Sequence, residues 1–308
     1  MLLLFYFQSM LKAIVFGLFV LGSLNSWSQS SLWQLEIPQT DSTEKIIQHT
    51  AFSLVYAEQH EQAKWVAYEL TKEHTQKAYE RSNHFYQDTL IESGSADDKD
   101  YLSSGYDRGH LAPAADFSWS ETTMNESFLY SNMSPQVPAF NRGVWKRLEE
   151  RVRNWARLYQ KIYVVTGPVF TPNMPSIGPN KVSVPTSYYK VILDMNPKAP
   201  KAIGFLLLNE SSQLELSSFA LSVDSIEQVT GINFFWLLND ELEEKLESHL
   251  CISCWDFETV ITQEAIDEKL PSTPSVTSSV QCKGITQTGN RCKNKTTSAS
   301  GFCHLHEK

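Results

Sequence analysis

The sequence predicts an α+β fold: a mixed or antiparallel sheet core carrying one long helix, followed by a small C-terminal Cys3His tail module. Three observations predict it. Strand-like runs succeed one another without the strand-helix alternation that builds a parallel sheet. One stretch, from about Asn141 to Trp155, has the three-and-four spacing of a long amphipathic helix. A run of prolines, serines and threonines then separates this body from a cysteine-bearing tail. At 308 residues, 42% hydrophobic and 12% aromatic, the chain has apolar material for one large domain or two ordinary ones.

Residues 10–28 combine Lys12, an apolar run from Ala13 to Leu21, and small residues at Ser26 and Ser28. That is the pattern of a signal peptide, here residues 1–28, cut near Gln29. An uncleaved membrane anchor is the alternative, because Leu2 to Phe7 lengthens the apolar stretch. In either case the body is expected outside the cytoplasm, secreted or periplasmic. After a lead-in loop, Phe52, Leu54 and Tyr56 alternate with smaller or polar neighbours, and Lys64 to Leu70 forms a second apolar run. The two read as paired strands. Lys161 to Thr166, Tyr188 to Leu193 and Ala202 to Leu208 read as three more, and helical pieces over Val223 to Leu246 close the body. In the helix after Asn141, Trp145, Leu148, Val152 and Trp155 mark the buried face.

The formal charge of -9 argues, taken alone, against a polyanionic partner. Its distribution argues otherwise. From Ala139 to Lys161 seven basic residues stand against Glu149 and Glu150. A polyanion at its docking groove responds to the local field, which salt screens over about 10 Å.

The chemistry-bearing residues fall between Gly105 and Glu149. Tyr106-Asp107-Arg108-Gly109-His110-Leu111-Ala112-Pro113 is followed by Asn132-Met133-Ser134-Pro135-Gln136, then by Asn141-Arg142-Gly143-Val144-Trp145 and Leu148-Glu149. The neutral imidazole of His110 is suited to accept a proton near neutral pH, and Gly109 gives the backbone latitude to turn beside it. A core histidine is the competing reading. Arg108 offers a rigid fork of donors to phosphate oxygens. Asp107 suits a structural hydrogen bond as well as a catalytic task. Asn141 is also a good helix cap, and Glu149 also a good partner for Lys146 or Arg153. Trp119, Phe128 and Tyr130 read as core rather than as platforms for bases.

In order, spacing and residue type these motifs resemble the DNA/RNA non-specific endonuclease family, which carries a ββα-metal core, over about residues 45 to 240. The resemblance implies a magnesium-dependent endonuclease, with manganese as an alternative metal. Such an enzyme cleaves DNA and RNA without sequence preference and leaves 5′-phosphates. It assigns His110 as general base, Asn141 as the protein ligand of the metal, and Glu149 as acceptor for the hydrated metal. It places Arg108 and Arg81 on phosphate, with Asn132 and Gln136 supporting metal or phosphate from behind. The substrates implied are DNA and RNA, with no small-molecule cofactor; oligomeric state is left open. The domain expected on these grounds covers residues 29–270. A catalytically silent nucleic-acid-binding envelope protein on the same scaffold is the alternative, and the joint retention of His110, Asn141 and Glu149 speaks against it.

Residues 271–281 read as a flexible linker and 282–308 as a separate miniature. Cys282, Cys292, Cys303 and His306 offer three thiolates and an imidazole to a zinc ion, and a segment this short needs such a staple. Disulfides compete for the same sulfurs. All five cysteines lie after residue 250, and a Cys251–Cys254 pair would leave three for the metal.

Overall fold

The computed structural model describes residues 35–261, 280–285, 290–296, 300–303 and 306. The amino-terminal segment read as an export signal lies outside the described residues, as does most of the expected linker. The chain divides into two compact units, Met1–Val260 and Ile261–Lys308.

The first unit is built on an antiparallel sheet. Its strands are β1 (Ile46–Gln48), β2 (Ser53–Ala57) and β3 (Gln62–Thr71), then, after the helix α1 (Asp98–Tyr101), a separate hairpin of β4 (Asp107–His110) and β5 (Met133–Gln136). The helix α2 (Glu121–Glu126) lies in the long connection between β4 and β5. After β5 come α3 (Pro138–Phe140), a π-helical turn at Asn141–Trp145, and α4 (Lys146–Tyr159). The main sheet resumes with β6 (Lys161–Pro168). A small β7/β8 hairpin (Ser176–Ile177, Val182–Ser183) follows, and β9 (Ser187–Asp194), β10 (Lys201–Leu208) and β11 (Ala220–Leu221) complete the strands. The seven-stranded order is β1-β2-β3-β6-β9-β10-β11. The helices α5 (Val223–Thr230) and α6 (Asp240–Glu247) end the unit's regular structure.

Side-chain alternation assigns each face of the sheet its partner. Leu54, Val66, Tyr68, Val164, Tyr188, Ile192 and Phe205 lie on the face that packs against Trp145, Leu148, Val152 and Trp155 of the π turn and α4. Val55, Trp65, Val165, Tyr189, Val191 and Leu193 pack against Val223, Ile226, Phe234 and Leu246 on the other side. Each fully buried large apolar chain contributes about 1.5–3 kcal/mol. The four α4-side residues therefore clamp the helix to the sheet and fix the position of its polar edge. Phe128 and Tyr130 are core, as expected. Trp119 is half-buried and stacks on His74, with ring centroids 4.5 Å apart.

The helix begins earlier than its periodicity indicates. Pro138 stands at its first turn, where the missing N–H costs nothing. Gly143 then departs from helical geometry, at φ −108° and ψ −111°, inside the π turn. Cys251 and Cys254 form a disulfide across three residues. In the second unit, β12 (Val280–Gln281) pairs antiparallel with β13 (Lys295–Thr296).

Candidate active site

The β4/β5 hairpin and α4 form the frame of a cleft of about 450 Å³ lined by Arg81, Arg108, His110, Pro113, Ala114, Ala115, Asn141, Arg142, Lys146, Glu149 and Arg153. In the hairpin His110 pairs with Met133 and Gly109 with Ser134. Gly109 is needed for space rather than for turning. A Cβ there would lie 2.2 Å from the Gln136 side chain.

His110 is buried, packed edge-on against Phe128 at 4.8 Å, and its Nε2 has no hydrogen-bond partner among the described residues. Burial first, and the Arg81 charge second, push its pKa down to about 3. The ring is therefore neutral throughout the neutral range, with a nitrogen left over at the cleft. Arg81 lines the same cleft with its guanidinium 4.9 Å from the Phe128 ring centre and makes no ion pair among the described residues. Arg108 lies 4.7 Å over Phe85 and 3.4 Å from Asp98.

Asn141 does not cap a helix with its side chain. Its Nδ2 donates to Asp107 Oδ2 at 2.9 Å. Arg142 clasps the same carboxylate through Nε at 2.8 Å and Nη2 at 2.6 Å. Asp107 thus holds the amide by its nitrogen and leaves the carbonyl oxygen uncommitted. Glu149, two turns further along, makes no hydrogen bond among the described residues, and burial pushes its pKa up to about 7. The charges of Arg153 and Lys190 oppose that rise. Arg153 is itself tied to buried Asp116 at 2.8 Å, which also accepts from Tyr68 at 2.9 Å.

Lys190 is the residue that sequence reading missed. It is fully buried on β9, its Nζ 4.9 Å over the Trp145 ring, and burial lowers its pKa to about 8 against the pull of Glu149. A single lysine inside the apolar run Tyr188-Tyr189-Lys190-Val191-Ile192-Leu193 was the available signal.

Two expected residues stand outside the cleft. Asn132 is fully buried and braces the backbone just after His110. Its Oδ1 accepts from Ala112 N at 2.9 Å, and its Nδ2 donates to the carbonyls of Ala112 and Ser127 at 2.9 and 2.8 Å. Gln136 ends β5 opposite Asp107 and is buried, with both amide atoms unpartnered among the described residues.

The residues at the cleft suit a hydrated divalent cation. An amide oxygen and a carboxylate face a pocket that also holds Arg81, Arg108, Arg142, Lys146 and Arg153, and magnesium keeps several of its waters when protein ligands are few.

Residues 33–241 match the family model for DNA/RNA non-specific endonuclease. The chain belongs to this family. It is 35% identical over 256 residues to a nuclease of Syncephalastrum racemosum, covering 75% of this chain and 78% of that one. It is 32% identical over 249 residues to the mitochondrial nuclease of Saccharomyces cerevisiae, covering 72% and 76%. A solved structure described as the EndoG/EndoGI complex superposes with a TM-score of 0.62 at 32% identity, over 67% of this chain and 90% of the other. Family and relatives together make the chain a nucleic-acid hydrolase with an α+β ββα-metal fold.

The comparisons correct the expected export. Relatives named for a location, the yeast protein and endonuclease G of Bos taurus among them, are mitochondrial proteins, which counts against secretion. The physical reason for the misreading is composition. The first acidic residue is Glu36, and an acid-free, serine-bearing leader is a property that export signals share with organelle presequences.

Proposed function

We propose that this endonuclease hydrolyses phosphodiester bonds of DNA and RNA at the His110 cleft, with magnesium as its metal, and leaves 5′-phosphates. The observation that carries the reading is that His110 Nε2, without a partner among the described residues, shares one cleft with Arg81, Asn141 and Glu149.

His110 Nε2, which has no partner among the described residues, takes the proton from the attacking water. Arg81 and Arg108 bind the non-bridging phosphate oxygens and offset charge as it grows in the transition state. The carbonyl oxygen of Asn141 would hold a hydrated magnesium, the carboxylate of Glu149 would accept from its waters, and Asp107 fixes the Asn141 amide in the orientation this needs. A bound magnesium ion supplies charge stabilisation at the phosphate and the departing 3′ oxygen. Asn132 holds the segment after His110, so its contribution is positional. The cleft residues address phosphate rather than base edges, in keeping with cleavage indifferent to sequence.

Purified protein is incubated with plasmid and with RNA, with magnesium or chelator, beside His110→Ala and Asn141→Ala. Both substrates are degraded in magnesium alone, and each substitution lowers the rate by about two to four orders of magnitude. Degradation untouched by chelation and by both substitutions would reject the site.

A further inference from the structure

Four side chains of the second unit form a cluster that the nuclease cleft does not use. Cys282, Cys292 and Cys303 are buried, and the disulfide among the described residues is the one between Cys251 and Cys254. The ligand atoms of Cys282, Cys292, Cys303 and His306 all lie within 4.8 Å of one another. The Sγ atoms of Cys292 and Cys303 are 3.9 Å apart. His306 Nδ1 is 3.5 Å from Cys282 Sγ and 3.5 Å from Cys303 Sγ.

We propose that these four residues hold one structural zinc ion. A tetrahedral zinc with metal–sulfur bonds of about 2.3 Å and metal–nitrogen bonds of about 2.0–2.1 Å has sulfur–sulfur edges of about 3.8 Å and sulfur–nitrogen edges of about 3.5 Å. The one sulfur–sulfur edge of 3.9 Å and the two sulfur–nitrogen edges of 3.5 Å match those of such a tetrahedron. A Cys292–Cys303 disulfide would need its sulfurs at about 2.05 Å.

Two further features point to a metal rather than to packed thiols. His306 Nε2 lies 3.1 Å from the carbonyl oxygen of Ile285, which can only accept. The ring proton is therefore on Nε2, and Nδ1 presents its lone pair to the sulfurs, as a zinc-bound imidazole must. The sulfurs also receive donors. Cys282 Sγ accepts from Gly284 N at 3.3 Å and Cys303 N at 3.2 Å, and Asn294 Nδ2 donates to Cys303 Sγ at 3.7 Å. Donors held against the sulfurs brace the side chains that would ligate the ion. Gly284 permits the approach, because a Cβ there would stand 2.3 Å from the His306 ring. Three thiolates with zinc carry one net negative charge, which Lys283, Arg291, Lys293 and Lys295 of the same unit offset. Soft thiolates with an imidazole in tetrahedral geometry select zinc over magnesium, so this site and the nuclease cleft call for different ions.

The test measures metal in the full-length chain. Protein purified in zinc and dialysed against metal-free buffer retains one equivalent, while Cys292→Ser and His306→Ala lose it and Cys251→Ser/Cys254→Ser keeps it. Cobalt(II), added to the zinc-free wild type, develops the intense ligand-field absorption of a tetrahedral thiolate site, so the result does not depend on whether a variant folds. A Cys292–Cys303 disulfide found by peptide mass, zinc content unchanged in both ligand variants, or a weak octahedral cobalt spectrum overturns the proposal. None of these readouts uses nuclease activity, so failure here leaves the cleft assignment standing, and failure there leaves this one.

Discussion

Asp107 offers the sharpest test of how the cleft is organised, because it touches the proposed metal ligand without being one. Its Oδ2 accepts from Asn141 at 2.9 Å, while Arg142 binds both of its oxygens at 2.8 and 2.6 Å. Asp107→Ala removes the acceptor that fixes the Asn141 amide and leaves that side chain free to rotate. A hydrogen bond to a charged group contributes about 1.5–3 kcal/mol, or roughly 10- to 150-fold in an equilibrium. Residues that orient a ligand from behind act on metal affinity at about 10- to 100-fold. The ion pair with Arg142, whose side chain is 72% exposed, adds at most about 1 kcal/mol to folding, so the variant stays folded. Plasmid cleavage is followed over a magnesium titration. The half-saturating magnesium concentration rises by about 10- to 100-fold, while cleavage at saturating metal recovers most of the wild-type rate. A half-saturation point equal to wild type would show that Asp107 does not position Asn141. A rate that stays low at every magnesium concentration would place Asp107 in the chemistry instead.

Three more outcomes follow from the same structure. Arg81→Ala weakens binding to DNA and RNA alike and lowers the slope of log affinity against log salt by about one, measured in chelator to prevent cleavage; an unchanged slope removes Arg81 from the phosphate. Glu247 is buried with one oxygen unpartnered, and burial, then Glu227 and Glu243, push its pKa from 4.5 up to about 9. The folded state therefore binds the extra proton between those values, so its stabilisation is full below pH 4.5 and is lost as pH rises towards 9. Glu247→Gln flattens that fall and melts a few degrees higher at pH 8.5, and a pH profile of melting temperature parallel to wild type refutes the assignment. Asn132→Ala strands the Ala112 and Ser127 backbone groups, costs about 1–3 kcal/mol in denaturant titration, and leaves the magnesium half-saturation point where it was; a shift in that point would put Asn132 at the metal.

Most of the framework was legible in the sequence because it follows periodicity. The strands β2, β3, β6, β9 and β10 announce themselves by apolar runs, and α4 by its buried stripe. The short strands β1, β7, β8 and β11, of two or three residues each, were not, since so few residues carry no period. The start of the helix was misplaced because Asn141 is a good capping residue, although Pro138 marked the true first turn. At the site, the motif named His110, Arg108, Asn141 and Glu149 and set Asn132 behind the metal or phosphate. What it did not carry is the set of partners: the Ala112 and Ser127 backbone groups that hold the Asn132 amide, and the Asp107 carboxylate that holds the Asn141 amide. Lys190 escaped because it lies far along the chain from the motif and is brought beneath Trp145 and Glu149 only by the pairing of β9 with β6.

The position of β9 also bears on synthesis. It lies between β6 and β10 in the sheet and carries Lys190 behind Glu149, so an amino-terminal fragment ending before residue 187 has every motif residue yet no floor beneath them. Domains fold as units while the ribosome adds about 5–20 residues per second. A nascent chain therefore completes the motif residues several seconds before β9 is available to pack beneath them.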